Sequence, residues 1–170
     1  LYEDNPCLER KYSNNDIENY CIYLVSSLEK YCKLSDKQRE VYVFQKSKPV
    51  LDKKSGMVKD GWHIMMPYLV APYELFYLAR GNRVMNTGVR ELFENIGYTN
   101  DIDDIIDKCV IDQNGWFMYG ASKPRKEPYK LTKIYKVKNG VATEFSKKNL
   151  IAKTNRDFIE LFSVRNKEIN

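Results

Sequence analysis

An amphipathic segment followed closely by a short apolar strand limits this chain to folds that combine helices with a sheet. Apolar side chains between Ile17 and Cys32 recur every three or four residues, which is the spacing of one buried helix face. Ser13 and Asp16 have the spacing of a capping box, so the helix is predicted to begin there. The β-branched and aromatic run 41–44 then predicts a buried strand.

A second strand is predicted after a polar connection. Residues 46–58 are rich in Lys, Pro, Ser and Gly and predict a loop, whereas residues 62–66 predict a strand that ends at Pro67. Side chains alternate across a strand, so His63 is expected to point away from the face that carries Trp62.

Helical spacing resumes at Pro72 and continues to about Gly97. Gly81 and Gly88 weaken the pattern in the middle, which favours two helices with a break over one long helix.

The C-terminal half predicts a β-hairpin. Asn139-Gly140 separates two apolar runs, and both residues tolerate the positive φ of a two-residue hairpin turn. Further strands are predicted at 116–119 and near 129–137, and a last helix at 157–164. This mixed order indicates an α+β fold in which a mixed or antiparallel sheet is backed by helices.

Composition indicates one globular domain over residues 1–170, because 43% of the residues are hydrophobic and 13% aromatic. No apolar run approaches the length of a membrane span, so no membrane partner is expected. A net charge of +5 is compatible with a nucleic-acid partner. The four cysteines show no disulfide or Cys-x-x-Cys spacing, which favours a reducing, cytoplasmic location.

His63 is the only histidine, and it follows Gly61 at a junction between loop and strand. A glycine lets the backbone approach a phosphate, and an imidazole can donate a hydrogen bond to it. A lone histidine in a strand is also compatible with a purely structural role. Paired-histidine zinc sites and two-histidine nuclease centres are excluded.

Asp107 lies in an acidic stretch, directly after Ile105 and Ile106. The apolar pair would hold this carboxylate at the edge of the core, where it could bind Mg²⁺ together with waters and substrate phosphates. The whole stretch could equally be a solvated acidic surface.

Ser122, Lys123 and Arg125 follow a small-residue turn at Gly120. Such a loop can position a triphosphate through its backbone N–H groups and neutralise it through its cations. A solvated charged loop would have the same composition.

Three motifs together resemble the primase domain of the archaeo-eukaryotic primase superfamily. They are residues 59–67, 106–110 and 116–123, in this order. In particular they are similar to the primase half of the primase-helicases of nucleocytoplasmic large DNA viruses, the poxvirus D5-like group. The likeness covers roughly residues 1–137 and implies a sheet like that of RNA-recognition motifs.

The resemblance implies roles for single residues. His63 ends a triplet of the form small residue-x-His, whose histidine contacts nucleotide phosphates, and Asp107 matches a metal-binding carboxylate. Lys123 matches a lysine that touches the triphosphate. The implied catalytic residues are Asp107 and His63, and Asp107 is the implied ligand of Mg²⁺ or Mn²⁺. The nucleotide-binding set is Lys59, Gly61, His63, Ser122, Lys123 and Arg125.

The chain departs from the family pattern in two places. Phe117 stands where a basic residue is often found, so Arg125 or Lys126 would have to substitute. The family also has an Asp-x-Asp pair before the histidine motif, which no strand between Leu1 and Gly61 supplies. The first residues resemble the stretch that follows this pair, so the pair is expected upstream of Leu1.

The sequence therefore predicts a primase-type catalytic domain that makes short primers on single-stranded DNA during viral DNA replication. The implied partners are nucleoside triphosphates, a single-stranded DNA template and a helicase domain in the same polypeptide. A basic surface would follow the template backbone by charge. Its predicted members are Arg80, Arg83, Arg90 and residues 130–138.

Two other interpretations remain open from the sequence. One is a non-catalytic sheet domain that binds single-stranded nucleic acid by stacking bases on Tyr119, Tyr129 and Tyr135. The other is a protein-interaction module that has kept the fold without the chemistry. Convergence of His63, Asp107 and Lys123 on one cleft would favour the primase.

Overall fold

The computed structural model of the chain describes residues 8–52, 56–98, 100–113, 118–150 and 152–163. The strands are β1 (Glu40–Gln45), β2 (Val50–Asp52), β3 (Met57–Lys59), β4 (Trp62–Met65), β5 (Lys130–Lys138) and β6 (Val141–Glu144). The helices are α1 (Asn14–Leu28), α2 (Tyr73–Gly81), α3 (Arg83–Ile96), α4 (Ile102–Ile105), α5 (Cys109–Asp112) and α6 (Asn155–Leu161), with a 3₁₀ turn at Lys147–Asn149. The predicted α+β class is confirmed.

Helix α1 begins with the predicted capping box. The Ser13 hydroxyl accepts from the Asp16 N–H at 3.3 Å, and the Asp16 carboxylate accepts from the Ser13 N–H at 2.7 Å. Along one side of α1, Ile17, Cys21 and Val25 are completely buried against the sheet. Local capping and one apolar stripe thus account for the position of α1.

The main sheet is antiparallel, with the strand order β4-β1-β5-β6. Strand β1 lies inside the sheet, and all of its residues are buried. Val41 and Val43 pack on α1, on what is here called the helix face. Tyr42 and Phe44 lie on the opposite face, where the C-terminal segment contributes Leu150 and Phe162. Each face of β1 therefore has its own apolar layer.

The predicted break between two helices is confirmed, and it falls at Asn82. This residue ends α2, and its side chain accepts from the Val84 N–H at 2.9 Å to cap α3. Gly97, with φ +78°, ends α3 in the left-handed conformation. Gly88 lies inside α3, where it allows close approach to the ring of Tyr23 in α1.

The predicted hairpin is also confirmed. Asn139 and Gly140 have φ values of +54° and +73° and join β5 to β6. The last helix covers Asn155–Leu161, so its predicted start near 157 is close, and Val164 lies outside the described residues.

Two segments differ from their predictions. Residues 46–58 are predicted as a loop, but Val50–Asp52 and Met57–Lys59 pair as a separate two-stranded hairpin, because short apolar pairs flank the turn at Gly56. Of the strand predicted at 116–119, residues 116 and 117 lie outside the described residues, and 118 and 119 are not in a strand. No described helix is long and apolar enough to cross a membrane.

Close packing at Gly88 gives a first prediction. A Cβ at this position would lie 2.8 Å from the Tyr23 ring, so Gly88→Ala should overpack the α1–α3 contact. The cost of overpacking, about 1–3 kcal/mol, should exceed the gain of about 0.5–1 kcal/mol in helix propensity. Urea denaturation should therefore show a lower free energy of unfolding for the variant.

Gly81→Ala is the matched control, because a Cβ added there would have no atom within 4 Å and the φ of Gly81 is not positive. This variant should unfold at the same urea concentration as the parent protein or slightly higher. Equal stability of Gly88→Ala and the parent protein would show that Tyr23 moves aside at little cost.

Candidate functional site

The sheet places His63 on the face opposite α1. Strand β4 pairs with β1 so that His63 lies across from Phe44, which belongs to the opposite-face cluster. Trp62 and Ile64, its neighbours in the strand, pack against the helix-face cluster. The side-chain alternation predicted from the sequence is therefore observed.

The imidazole of His63 lies against an aromatic ring. Its centroid is 3.7 Å from that of Tyr129, and the two rings are nearly parallel at 16°. The pKa of His63 is lowered to about 4. Burial is the main cause, the charge of Lys46 acts in the same direction, and the charge of Asp107 acts in the opposite direction. At neutral pH the imidazole is uncharged and can donate one hydrogen bond.

Lys46 is the site residue that the sequence analysis missed. Its Nζ lies 4.9 Å from the centroid of the Tyr129 ring, the same ring on which His63 stacks. The pairing of Gln45 with Trp62 brings the end of β1 beside the start of β4. The sequence shows a lysine two residues after the apolar run 41–44. The strand that pairs with this run could not be identified from the sequence, because residues 45–61 separate the two.

The connection into β4 is held by side chains from the N-terminal segment. Arg10 donates to the Asp60 carboxylate at 3.0 and 3.3 Å, and the Tyr12 hydroxyl donates to the Gly61 carbonyl at 3.0 Å. Gly61 has φ +146°, a conformation that side-chain-bearing residues rarely adopt. Lys59, one of the predicted nucleotide-binding residues, is exposed and forms an ion pair with Asp52 within the β2–β3 hairpin.

Asp107 lies in the turn between α4 and α5. Its carboxylate accepts from the Cys109 N–H at 2.9 Å. The preceding Ile105 and Ile106 pack on the core of α3, and Arg80 donates to the Ile106 carbonyl at 3.0 Å. Arg80, predicted to contact template, thus supports this turn and also pairs with a carboxylate of α4.

The carboxylate of Asp107 suits a metal ion only as part of a larger set. It is exposed, and one of its oxygens is bonded to the backbone N–H of Cys109, which leaves the other oxygen for a hard cation. The described residues contain no group of three or more His, Cys, Asp or Glu that could hold a metal ion. A two-metal centre would therefore need further carboxylates.

The loop that carries Ser122, Lys123 and Arg125 starts on the same face as His63. Tyr119 packs there, with its ring 6.0 Å from that of Phe44. The Ser122 hydroxyl donates to the Lys126 carbonyl at 2.7 Å and so closes the loop on itself. All three predicted residues are exposed, and no described contact joins Lys123 to His63 or Asp107.

The aromatic surface suggested for a base-stacking domain is not formed. Tyr135 is only 2% exposed and lies on the helix face, whereas Tyr129 carries His63 on the opposite face. Tyr119 packs against Phe158 and Phe162. Because these tyrosines lie on different faces and are engaged in packing, they cannot stack successive bases together.

The lysines of β5 are engaged in ion pairs. Lys133 pairs with Glu144, while Lys136 and Lys138 share Asp36. Exposed pairs of this kind contribute little to stability. They nevertheless reduce the net positive charge that β5 would contribute to the predicted template-binding surface.

The electrostatic surroundings of His63 can be tested directly, because the chain has one histidine. In NMR titrations of the imidazole, the parent protein should show a pKa near 4, well below the usual 6.5. Lys46→Gln should raise this pKa because it removes a nearby positive charge, and Asp107→Asn should lower it because it removes a negative one. A midpoint near the usual value in all three proteins would contradict the burial and the charge placement.

Comparison with known proteins gives one family and one curated relative. Residues 2–135 match the family described as the C962R protein N-terminal AEP domain, where AEP denotes the archaeo-eukaryotic primases. The chain is 30% identical over 115 residues to the protein named "Putative helicase L207/L206" of Acanthamoeba polyphaga mimivirus. That match covers 68% of this chain and 12% of the viral protein. No solved structure matches.

The family match covers most of the chain, including α1, the sheet strands β1 and β4, His63 and Asp107. It agrees with the α+β architecture, in which an antiparallel sheet is backed by helices. The chain therefore belongs to the C962R-type family of N-terminal archaeo-eukaryotic primase domains.

Proposed function

We propose that this domain binds a nucleoside triphosphate beside His63 and serves in template-directed synthesis of short primers on single-stranded DNA. The observation that carries the proposal is the placement of His63 on the sheet face opposite α1, where the loop of Lys123 and Arg125 also starts and where the charge of Asp107 acts on the imidazole. A neutral hydrogen-bond donor, a cation and a carboxylate are the groups that a metal-bound triphosphate requires.

Each residue has a distinct part in this proposal. The neutral imidazole of His63 donates its N–H to a phosphate oxygen, while Tyr129 fixes the plane of the ring. Lys123 and Arg125, on the exposed loop of the same face, neutralise the triphosphate as it enters. Asp107 would hold Mg²⁺ or Mn²⁺, which when bound lowers the barrier to attack on the α-phosphate.

The name of the mimivirus relative supports a role for this domain beside a helicase. That protein is named a helicase, and this chain spans about an eighth of its length. We infer that the domain acts beside a helicase in the same polypeptide, which would supply the single-stranded template. Such a pairing fits viral DNA replication, because primer synthesis needs unwound DNA.

A second function, binding of nucleotide or nucleic acid without catalysis, is favoured by one observation. Among the described residues, Asp107 belongs to no group of three or more His, Cys, Asp or Glu that could hold a metal ion. A domain with only this carboxylate could bind a metal-nucleotide complex and still lack the second metal that activates the attacking hydroxyl. The two functions differ in whether further carboxylates complete the centre.

Triphosphate binding is the first test of the proposal. His63→Ala and Lys123→Ala should each weaken binding of ATP with Mg²⁺ by about 1.5–3 kcal/mol, which is the value of a charge-assisted hydrogen bond. Isothermal calorimetry measures the affinity directly. Lys33→Ala, which removes an exposed lysine outside the site, is the charge control. Unchanged affinity in both site variants would contradict the assignment.

Primer synthesis is the second test. The 170-residue chain should bind nucleotide without making primers, because Asp107 alone cannot hold two metal ions. A protein extended upstream to include an Asp-x-Asp strand should make primers on single-stranded DNA. Asp107→Ala in that protein should abolish synthesis and leave the circular dichroism spectrum unchanged.

Either of two results would contradict this account of primer synthesis. Primers made by the 170-residue chain would place the catalytic carboxylates elsewhere in it. An inactive extended protein, across templates and with both Mg²⁺ and Mn²⁺, would favour the binding function without catalysis.

A further inference from the structure

We propose that Lys46 is a phosphate-binding residue of this site and supplies the positive charge beside His63. The inference rests on the proposed function, since it names a residue that would hold the triphosphate. It concerns a lysine at the end of β1, outside the three motifs that identify the family.

The backbone around Lys46 is fixed from both sides. The Lys46 carbonyl accepts from the Arg10 guanidinium at 2.8 Å. The preceding Gln45 is buried and donates to the Tyr12 hydroxyl at 3.1 Å, and the Ser47 N–H donates to the Glu127 carboxylate at 3.1 Å. A side chain that starts from such a fixed point loses less freedom when it binds a ligand.

The ammonium group of Lys46 is directed to the site. It lies 4.9 Å from the centroid of the Tyr129 ring, a cation–π contact, and His63 stacks on the same ring with a centroid separation of 3.7 Å. A phosphate that accepts a hydrogen bond from the imidazole would therefore be close to this positive charge.

Within the described part of the chain, Lys46 has no ion pair. The nearby Glu127 carboxylate binds the N–H and hydroxyl of Ser47 and lies 3.8 Å from Lys130. Lys59, in contrast, is paired with Asp52. The pKa of Glu127 is lowered mainly by its hydrogen bonds to Ser47, and the charge of Lys46 also contributes. Because no salt bridge holds the partly buried ammonium group of Lys46, a phosphate can still approach it.

The neutral state of His63 makes this cation necessary. Because the pKa of His63 is low, the imidazole offers a hydrogen bond without charge at neutral pH. The triphosphate needs compensating charge as well as hydrogen bonds. Among the described cations, Lys46 is the one whose charge acts on His63.

The experiment compares two single-charge variants that differ only in location. Lys46→Gln removes the charge beside His63, and Lys48→Gln removes the charge of an exposed lysine two residues later. Each variant and the parent 170-residue chain are titrated with ATP and with inorganic tripolyphosphate, both with Mg²⁺. Lys46→Arg serves as the conservative variant, and thermal unfolding verifies that each protein is folded.

Lys46→Gln should weaken binding of both ligands by roughly 10- to 100-fold, since a charge-assisted hydrogen bond is lost. Lys48→Gln should change either affinity by less than about twofold, because an exposed charge is screened by salt. Lys46→Arg should retain most of the affinity. If Lys46→Gln does not fold, Lys46→Met, which removes the charge and keeps a long side chain, takes its place. Loss of affinity for both ligands in folded Lys46→Met supports the phosphate contact, and unchanged affinity contradicts it.

The negative outcomes separate the two proposals. Binding by the parent chain that Lys46→Gln leaves unchanged overturns the role of Lys46 and leaves the proposed function standing. A loss confined to ATP, with tripolyphosphate binding intact, shows that Lys46 contacts the nucleoside and overturns its assignment to phosphate. Absence of binding of either ligand by the parent chain overturns both proposals.

Discussion

The antiparallel pairing of β1 with β4 is the constraint on which the candidate site depends. It sets Phe44 across from His63 and Gln45 across from Trp62, so that the end of one strand lies beside the start of the other. Arg10 reinforces this register, because its guanidinium binds the Asp60 carboxylate before β4 and the Lys46 carbonyl after β1. A shift by one residue would turn His63 toward α1 and remove it from the site.

Charges of both signs act on His63. Burial and the charge of Lys46 lower the pKa of the imidazole, and the charge of Asp107 acts in the other direction. The cation, Lys46, directly follows strand β1 of the sheet. The carboxylate, Asp107, lies in the turn between α4 and α5, which Ile105 and Ile106 anchor to the core of α3. The site is therefore built from two structural units, and each contributes a charge of one sign.

Local patterns determined how much could be predicted from the sequence. The capping box at Ser13, the strand at His63 and the Asn139-Gly140 hairpin each depend on a few adjacent residues, and all three are confirmed. The β2–β3 hairpin and the role of Lys46 depend on pairing between separate segments, which composition does not specify. The expectation that Arg125 or Lys126 substitutes for the basic residue missing at Phe117 stays a prediction. The positive charge that acts on His63 comes from Lys46, directly after β1, which the sequence alone did not indicate.

The two parts of the candidate site differ in how firmly the fold holds them. His63, Lys46 and Tyr129 are held by a sheet whose inner strand β1 is buried on both faces, so the proposed binding half of the site forms with the core. Asp107 is exposed on a short turn and belongs to no larger set of metal ligands among the described residues. Because two-metal chemistry requires several carboxylates at fixed positions, the binding half can be complete while catalysis still depends on additional ligands. Nucleotide affinity and primer synthesis are thus expected to respond to different mutations, and loss of one would not imply loss of the other.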